Sequence, residues 1–131
     1  MKVLALDYGA ARTGVAVSDA TGTLARPLEV VERASSPTGL QRIGELVRQE
    51  GVERIVVGMP LTLRGERGPQ AAETGSFVEA LRVEVAVPVE TFDERFTTRL
   101  AEQTGAGSDE DAVAAAHLLT GYLTWSTGRR P

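Results

Sequence analysis

The chain has 131 residues, 42% of them hydrophobic and 24% charged, with a formal net charge of −4. That length suits one domain, long enough to bury a proper core without covalent staples. Cysteine is absent, which excludes disulfides, zinc–thiolate sites and thiol nucleophiles, and the net negative charge does not announce a nucleic-acid binder.

Val3 to Leu6 is a short apolar run that ends in Asp7, so the first strand is expected at about 2–7. Gly9 and Gly14 bracket a tight connection, and a second strand is expected at about 14–18. Asp19-Ala-Thr-Gly22 is a turn signal. A third strand follows at about 24–32, where Pro27 cannot donate to a ladder and implies an edge or a bulge. The chain thus opens as an antiparallel meander.

Ser35-Ser36-Pro37 marks a helix start with serine as N-cap, and Leu40, Ile43, Leu46 and Val47 make its apolar face, with Gly51 as the stop. Ile55 to Val57 reads as a fourth, buried strand that Gly58-Met-Pro60 ends. A helix between two buried strands implies a parallel crossover. Leu61 to Pro69 reads as an irregular loop carrying Arg64 and Arg67, and a second helix is expected at about 70–82 with Ala71, Ala72, Phe77, Val78 and Leu81 inward. The fifth strand is expected at 85–92, with Asp93-Glu94-Arg95 at its end. A short helix at about 97–105 and a last helix at about 109–124 complete the chain, with Arg129 and Arg130 in a frayed tail. Helical spacing from Asp111 leads through Ala115, Leu118 and Tyr122, the expected sheet-facing stripe, while Asp109 and Glu110 are expected to face water.

Acids therefore stand at Asp7, at Asp93-Glu94 and at Asp111, without a cysteine or a paired histidine. Asp7 beside glycine could equally be a turn residue, and Asp111 could simply favour the positive end of its helix. If the acids converge, such hard oxygen donors suit Mg2+ or Mn2+, and a two-metal site would serve phosphodiester cleavage. Arg12 near Asp7 suits a phosphate. Arg64 and Arg67 fit a solvated loop and a substrate clamp equally well, and Arg95 could neutralise Asp93. Tyr8, Tyr122 and Trp125 read as packing aromatics, and His117 as a packed or surface histidine.

Four stretches taken in order, Asp7-Tyr-Gly-Ala-Ala-Arg-Thr-Gly-Val-Ala, Val57-Gly-Met-Pro-Leu, Asp93-Glu-Arg-Phe-Thr-Thr and Asp111-Ala-Val-Ala-Ala, resemble the YqgF/RuvX family of the ribonuclease H-like, RuvC-like nucleases. The resemblance spans nearly the whole chain. It implies an α/β RNase H-like fold, a five-stranded mixed sheet of order 3-2-1-4-5, in a single nuclease domain over residues 1–131. It also implies a metal-dependent nuclease that matures the 5′ end of the small-subunit ribosomal RNA precursor. The site residues it implies are Asp7, Asp93, Glu94 and Asp111 for metal and catalysis. Arg12, Arg64, Arg67 and Arg95 would contact nucleic acid. RuvC-like nucleases carry an acid on the fourth strand, whereas here Gly58-Met-Pro60 holds none, so the Asp93-Glu94 pair must supply that charge.

A branched-DNA or Holliday-junction resolvase is the alternative activity, and a non-catalytic nucleic-acid-binding module is the alternative class. An actin-like phosphate cradle would need a second such hairpin, which the chain does not have. The expected partner is RNA or branched DNA, not a membrane. The expected location is the cytoplasm, because Asp7 interrupts any leader-like apolar run. Monomer and homodimer both stay open.

Overall fold

The computed structural model describes residues 1–60, 68–94 and 108–129, with the side chains of 108, 109 and 127–129 outside the description. Its strands are β1 (Val3–Asp7), β2 (Arg12–Ser18), β3 (Ala25–Glu32), β4 (Arg54–Met59) and β5 (Val89–Asp93), and its helices are α1 (Pro37–Glu50), α2 (Pro69–Glu84) and α3 (Ser108–Arg129). The five strands form one sheet in the order β3-β2-β1-β4-β5. Strands β1, β2 and β3 pair antiparallel, and β4 runs parallel to both β1 and β5. The carboxyl ends of β1, β4 and β5 therefore open at one end of the sheet, where β2 begins.

Val3 to Leu6 is buried on both faces, which is why it reads as an unbroken apolar run. Leu4, Leu6, Val15, Val17, Ile55 and Val57 meet Ile43 and Leu46 of α1 and Phe77 and Leu81 of α2 on one face. On the other face Val3, Ala5, Ala16, Val56 and Phe92 meet Ala115, Leu118, Leu119 and Tyr122 of α3. Residues one apart along a strand thus go to different layers.

Helix α1 begins as its sequence requires. Ser36 is the N-cap, and its Oγ accepts a hydrogen bond from the Gly39 amide at 3.1 Å. The Asp19 turn is tied by the amides of Thr23 and Leu24, which donate to its carboxylate at 2.8 and 3.2 Å. Those bonds and the Thr21 hydroxyl hold the Asp19 carboxyl below its ordinary value. Pro27 lies on edge strand β3, opposite Ala16, at a register shift in the β2–β3 ladder, so edge and irregularity coincide.

Several boundaries differ from expectation. Strand β4 continues through Gly58 to Met59, because both residues pair with β5. Residues 85–88 are not strand: the Val85 amide still bonds the Leu81 carbonyl of α2 at 3.0 Å, and pairing starts only past Pro88. In α2 the buried position is Thr74, whose hydroxyl donates to the Gln70 carbonyl at 2.9 Å, and Ala72 is exposed. Helix α3 runs on to Arg129 instead of stopping near Thr124. The helix expected at 97–105 lies outside the described residues.

Replacing Ser36 by alanine removes a satisfied helix-end amide and should cost about 1 kcal/mol of unfolding free energy in urea. Ser35→Ala, at an exposed position beside it, should change the midpoint by no more than a few tenths of a kcal/mol. Equal losses in the two variants would contradict the capping assignment.

Candidate active site

Open α/β sheets bind ligands outside the carboxyl ends of their strands, and here that end carries the acids. Asp7 ends β1 and pairs with Gly14 of β2. One residue beyond the Leu6–Val57 pair, Asp7 stands level with Gly58 of β4. Gly58 in turn pairs with Phe92 of β5, whose ring lies in the layer under α3. Paired residues share a face, so Asp7, Gly14 and Gly58 all address α3.

Helix α3 reaches this point with its first turn. A Cβ at Gly14 would overlap the backbone carbonyl of Asp111, so only glycine lets the helix start rest on β2. Asp111 is thereby fixed beside the strand pair that carries Asp7. Its stripe is as expected: Ala115, Leu118 and Tyr122 are buried against the sheet. Ala112, Leu119 and Leu123 form a second buried row, which the alanine-rich sequence did not single out. Glu110 is half-buried instead of fully solvent-facing, and the Asp109 side chain lies outside the description.

Glu94 arrives from the opposite side. A Cβ at Gly58 would lie 2.7 Å from Glu94 Oε1 and 2.9 Å from its Cγ, so the Glu94 side chain occupies the space that any other residue on β4 would fill. Glu94 is therefore on the α3 face with Asp7. Asp93, paired with Met59, alternates to the face of α1 and α2. The sequence left these two acids equivalent; Gly58 separates them. A glycine inside a strand marks a close approach, and that was the legible signal.

Arg12 comes from the start of β2. Its Nε stands 3.0 Å from Asp111 Oδ2, so it pairs with Asp111, a partner its place in the sequence near Asp7 did not suggest. The alignment does not make a hydrogen bond, and Oδ2 is buried without a hydrogen-bond partner among the described residues. The hairpin that carries Arg12 is fixed by Thr13. This residue is fully buried, its hydroxyl donating to the Gly9 carbonyl at 3.3 Å. Tyr8 points to the other layer and stacks on Phe77, with ring centroids 4.4 Å apart. Arg64, Arg67 and Arg95 lie outside the described residues.

Among the described residues, no three Asp, Glu or His side chains are drawn together tightly enough to hold an ion as they stand. Like charges at one site repel until a cation joins them, and Arg12 already neutralises one. The donor set nevertheless fits a hard divalent cation: carboxylates only, and one of them with a buried oxygen that has no hydrogen bond among the described residues. The far end of α3 is a separate, structural network. There Tyr122 donates its hydroxyl to Glu90 and accepts from Arg54 at 3.0 Å. Burial, then Glu90, raises the Tyr122 hydroxyl above its ordinary value, and the hydrogen bond to Tyr122 raises Arg54. His117 is part-exposed on α3. Trp125 lies at a tilt on Phe92, with centroids 5.6 Å apart.

Known proteins align over nearly the whole chain. The RuvX family model, described as "Holliday junction resolvase", matches residues 1–125. A Desulforudis audaxviator protein named "Putative pre-16S rRNA nuclease" is 44% identical, over 94% of each chain. A protein of the same name from Symbiobacterium thermophilum is 40% identical over 100% of this chain and 97% of its own. Among solved structures, Thermus thermophilus RuvC in complex with a Holliday junction substrate is similar, with a TM-score of 0.61 and 22% identity. That match covers 98% of this chain and 97% of RuvC. It establishes the RNase H-like fold.

The two glycines should respond differently to alanine. Gly14→Ala forces backbone against backbone and should lower stability by about 1–3 kcal/mol. Gly58→Ala needs only the Glu94 side chain to move, so its melting temperature should stay near that of the parent while metal binding weakens. Thermal melts with and without Mn2+ check both, and a Gly58→Ala protein that responds to Mn2+ like the parent would separate Glu94 from the site.

Proposed function

This chain belongs to the RuvX family, and from that membership and the site geometry we propose that it is a divalent-metal-dependent nuclease of the small-subunit ribosomal RNA precursor, acting as a single domain over residues 1–131. The observation that supports the reading is that Asp7, Glu94 and Asp111 stand on one face, at the open end of the sheet. Gly14 and Gly58 make this approach possible, because a side chain at either would meet Asp111 or Glu94.

In this reading Asp7, Glu94 and Asp111 hold Mg2+ or Mn2+. A cation held there would supply Lewis-acid chemistry for water activation and for stabilising a leaving oxygen. Asp7 is the anchor, because it sits at the end of a strand buried on both faces and cannot drift. Asp111 brings its buried Oδ2 from the first turn of α3. Glu94 takes the role that a fourth-strand acid would have, reaching over Gly58 from β5. Asp93, on the other face, is placed to support the strand end and not to bind the ion. Arg12 supplies a phosphate contact, as do Arg64, Arg67 and Arg95 from the segments after β4 and β5.

Junction DNA is the second substrate reading, favoured by the family description and by the fold shared with RuvC. The cytoplasm is the proposed location, and no helix among the described residues is long and apolar enough to cross a membrane. Incubating the purified protein with Mn2+ and either an extended precursor RNA or a four-way DNA junction separates the two substrates. RNA trimmed to the mature end, with the junction intact, is the expected result.

Asp7→Asn, Glu94→Gln and Asp111→Asn should each lower cleavage by on the order of a hundredfold or more, whereas Asp93→Asn should keep most of it. Millimolar Mn2+ should raise the melting temperature of the parent, since a ligand of the folded state stabilises it, and should not raise that of Asp7→Asn. Cleavage by Asp7→Asn at the parent rate would reduce Asp7 to a turn residue.

A further inference from the structure

Resting on that reading, we infer that Arg12 is an exchangeable counter-ion: it neutralises Asp111 in the metal-free protein, a divalent cation displaces it, and the freed guanidinium then takes a phosphate of the nucleic acid. Metal and nucleic acid would thus promote each other's binding through one side chain.

Four observations carry this. The Arg12 Nε is 3.0 Å from Asp111 Oδ2, the buried carboxylate oxygen without a hydrogen bond among the described residues. A guanidinium and a metal ion cannot share the inner side of one carboxylate oxygen, so they compete. The contact is also an easy one to leave. It lacks hydrogen-bond alignment, and the Arg12 side chain is 46% exposed, so its release uncovers no buried charge on the arginine. Asp111 is the member that cannot follow, because its backbone carbonyl is pressed against Gly14. Finally, the hairpin is held by the buried Thr13 hydroxyl on Gly9, so Arg12 swings from a fixed base at the rim of the site. A planar fork released there matches a phosphate in geometry and sign.

Coupling of this kind is reciprocal, which allows a test without turnover. In the first arm, the Mn2+ concentration giving half the maximal thermal shift is measured for the parent, Arg12→Gln and Arg33→Gln. Arg33 carries the same charge on the neighbouring segment, its amide bonded to the Ala11 carbonyl at 3.0 Å. Arg12→Gln should need about two- to fivefold less Mn2+, the range expected for one part-exposed ion pair. Arg33→Gln should match the parent. Equal shifts in the two variants would mean that net charge alone acts and would overturn the inference.

The second arm uses a single-stranded RNA oligonucleotide in EDTA. Asp111→Asn should release Arg12 without any metal and tighten RNA binding by about two- to fivefold. In an Arg12→Gln background the same substitution should give little or none of that gain. An equal gain in both backgrounds overturns the inference. If Mn2+ leaves the parent unchanged, the metal reading falls, and the EDTA arm still decides whether Arg12 is held by Asp111. If the parent responds neither to Mn2+ nor to RNA, both are overturned.

Discussion

The contact between the first turn of α3 and Gly14 is the constraint on which the rest depends. A helix normally packs on a sheet about 10 Å away through side chains. Here the helix start touches the strand itself, backbone to backbone, at one end only. That contact fixes Asp111 beside the strand pair that carries Asp7, and large residues fill the layer under the far end of α3. Phe92 and Tyr122 do so, edge to face with centroids 5.6 Å apart.

The same geometry explains how the fourth strand can lack an acid. Gly58 gives up its side chain, and Glu94 of the next strand lies across the opening. Charge at the site is set by where carboxylates arrive, not by which strand sends them. Strand identity is therefore a weak guide to function in this fold, and the face of the sheet is a strong one. Tyr8 and Asp7, adjacent in sequence, show the same principle: one stacks on Phe77 in the α1–α2 layer and the other addresses α3.

Much of this was legible from residues alone. The serine cap of α1, the irregular edge at Pro27 and the stripe below Asp111 follow from turn chemistry and periodicity, which are local, whereas the strand order came from the family resemblance. The parts that were not legible are tertiary. Val85 to Val87 have strand-like composition but follow the end of α2 before Pro88 lets pairing begin. The extension of β4 through Gly58 depends on a partner strand more than thirty residues later, and glycine by itself signals a stop. The pairing of Arg12 with Asp111 joins nearly opposite ends of the chain, and spacing along the sequence carries no trace of it.

That long reach has a consequence for the order in which the protein comes into being. Asp7 is synthesised among the first residues and Asp111 with the last helix. A nascent chain that ends before α3 has its sheet but leaves Val3, Ala5, Ala16, Val56 and Phe92 uncovered. It also has neither Asp111 nor the counter-ion pair. Docking of α3 thus covers that apolar face and brings Asp111 to the strand pair that carries Asp7 in one event.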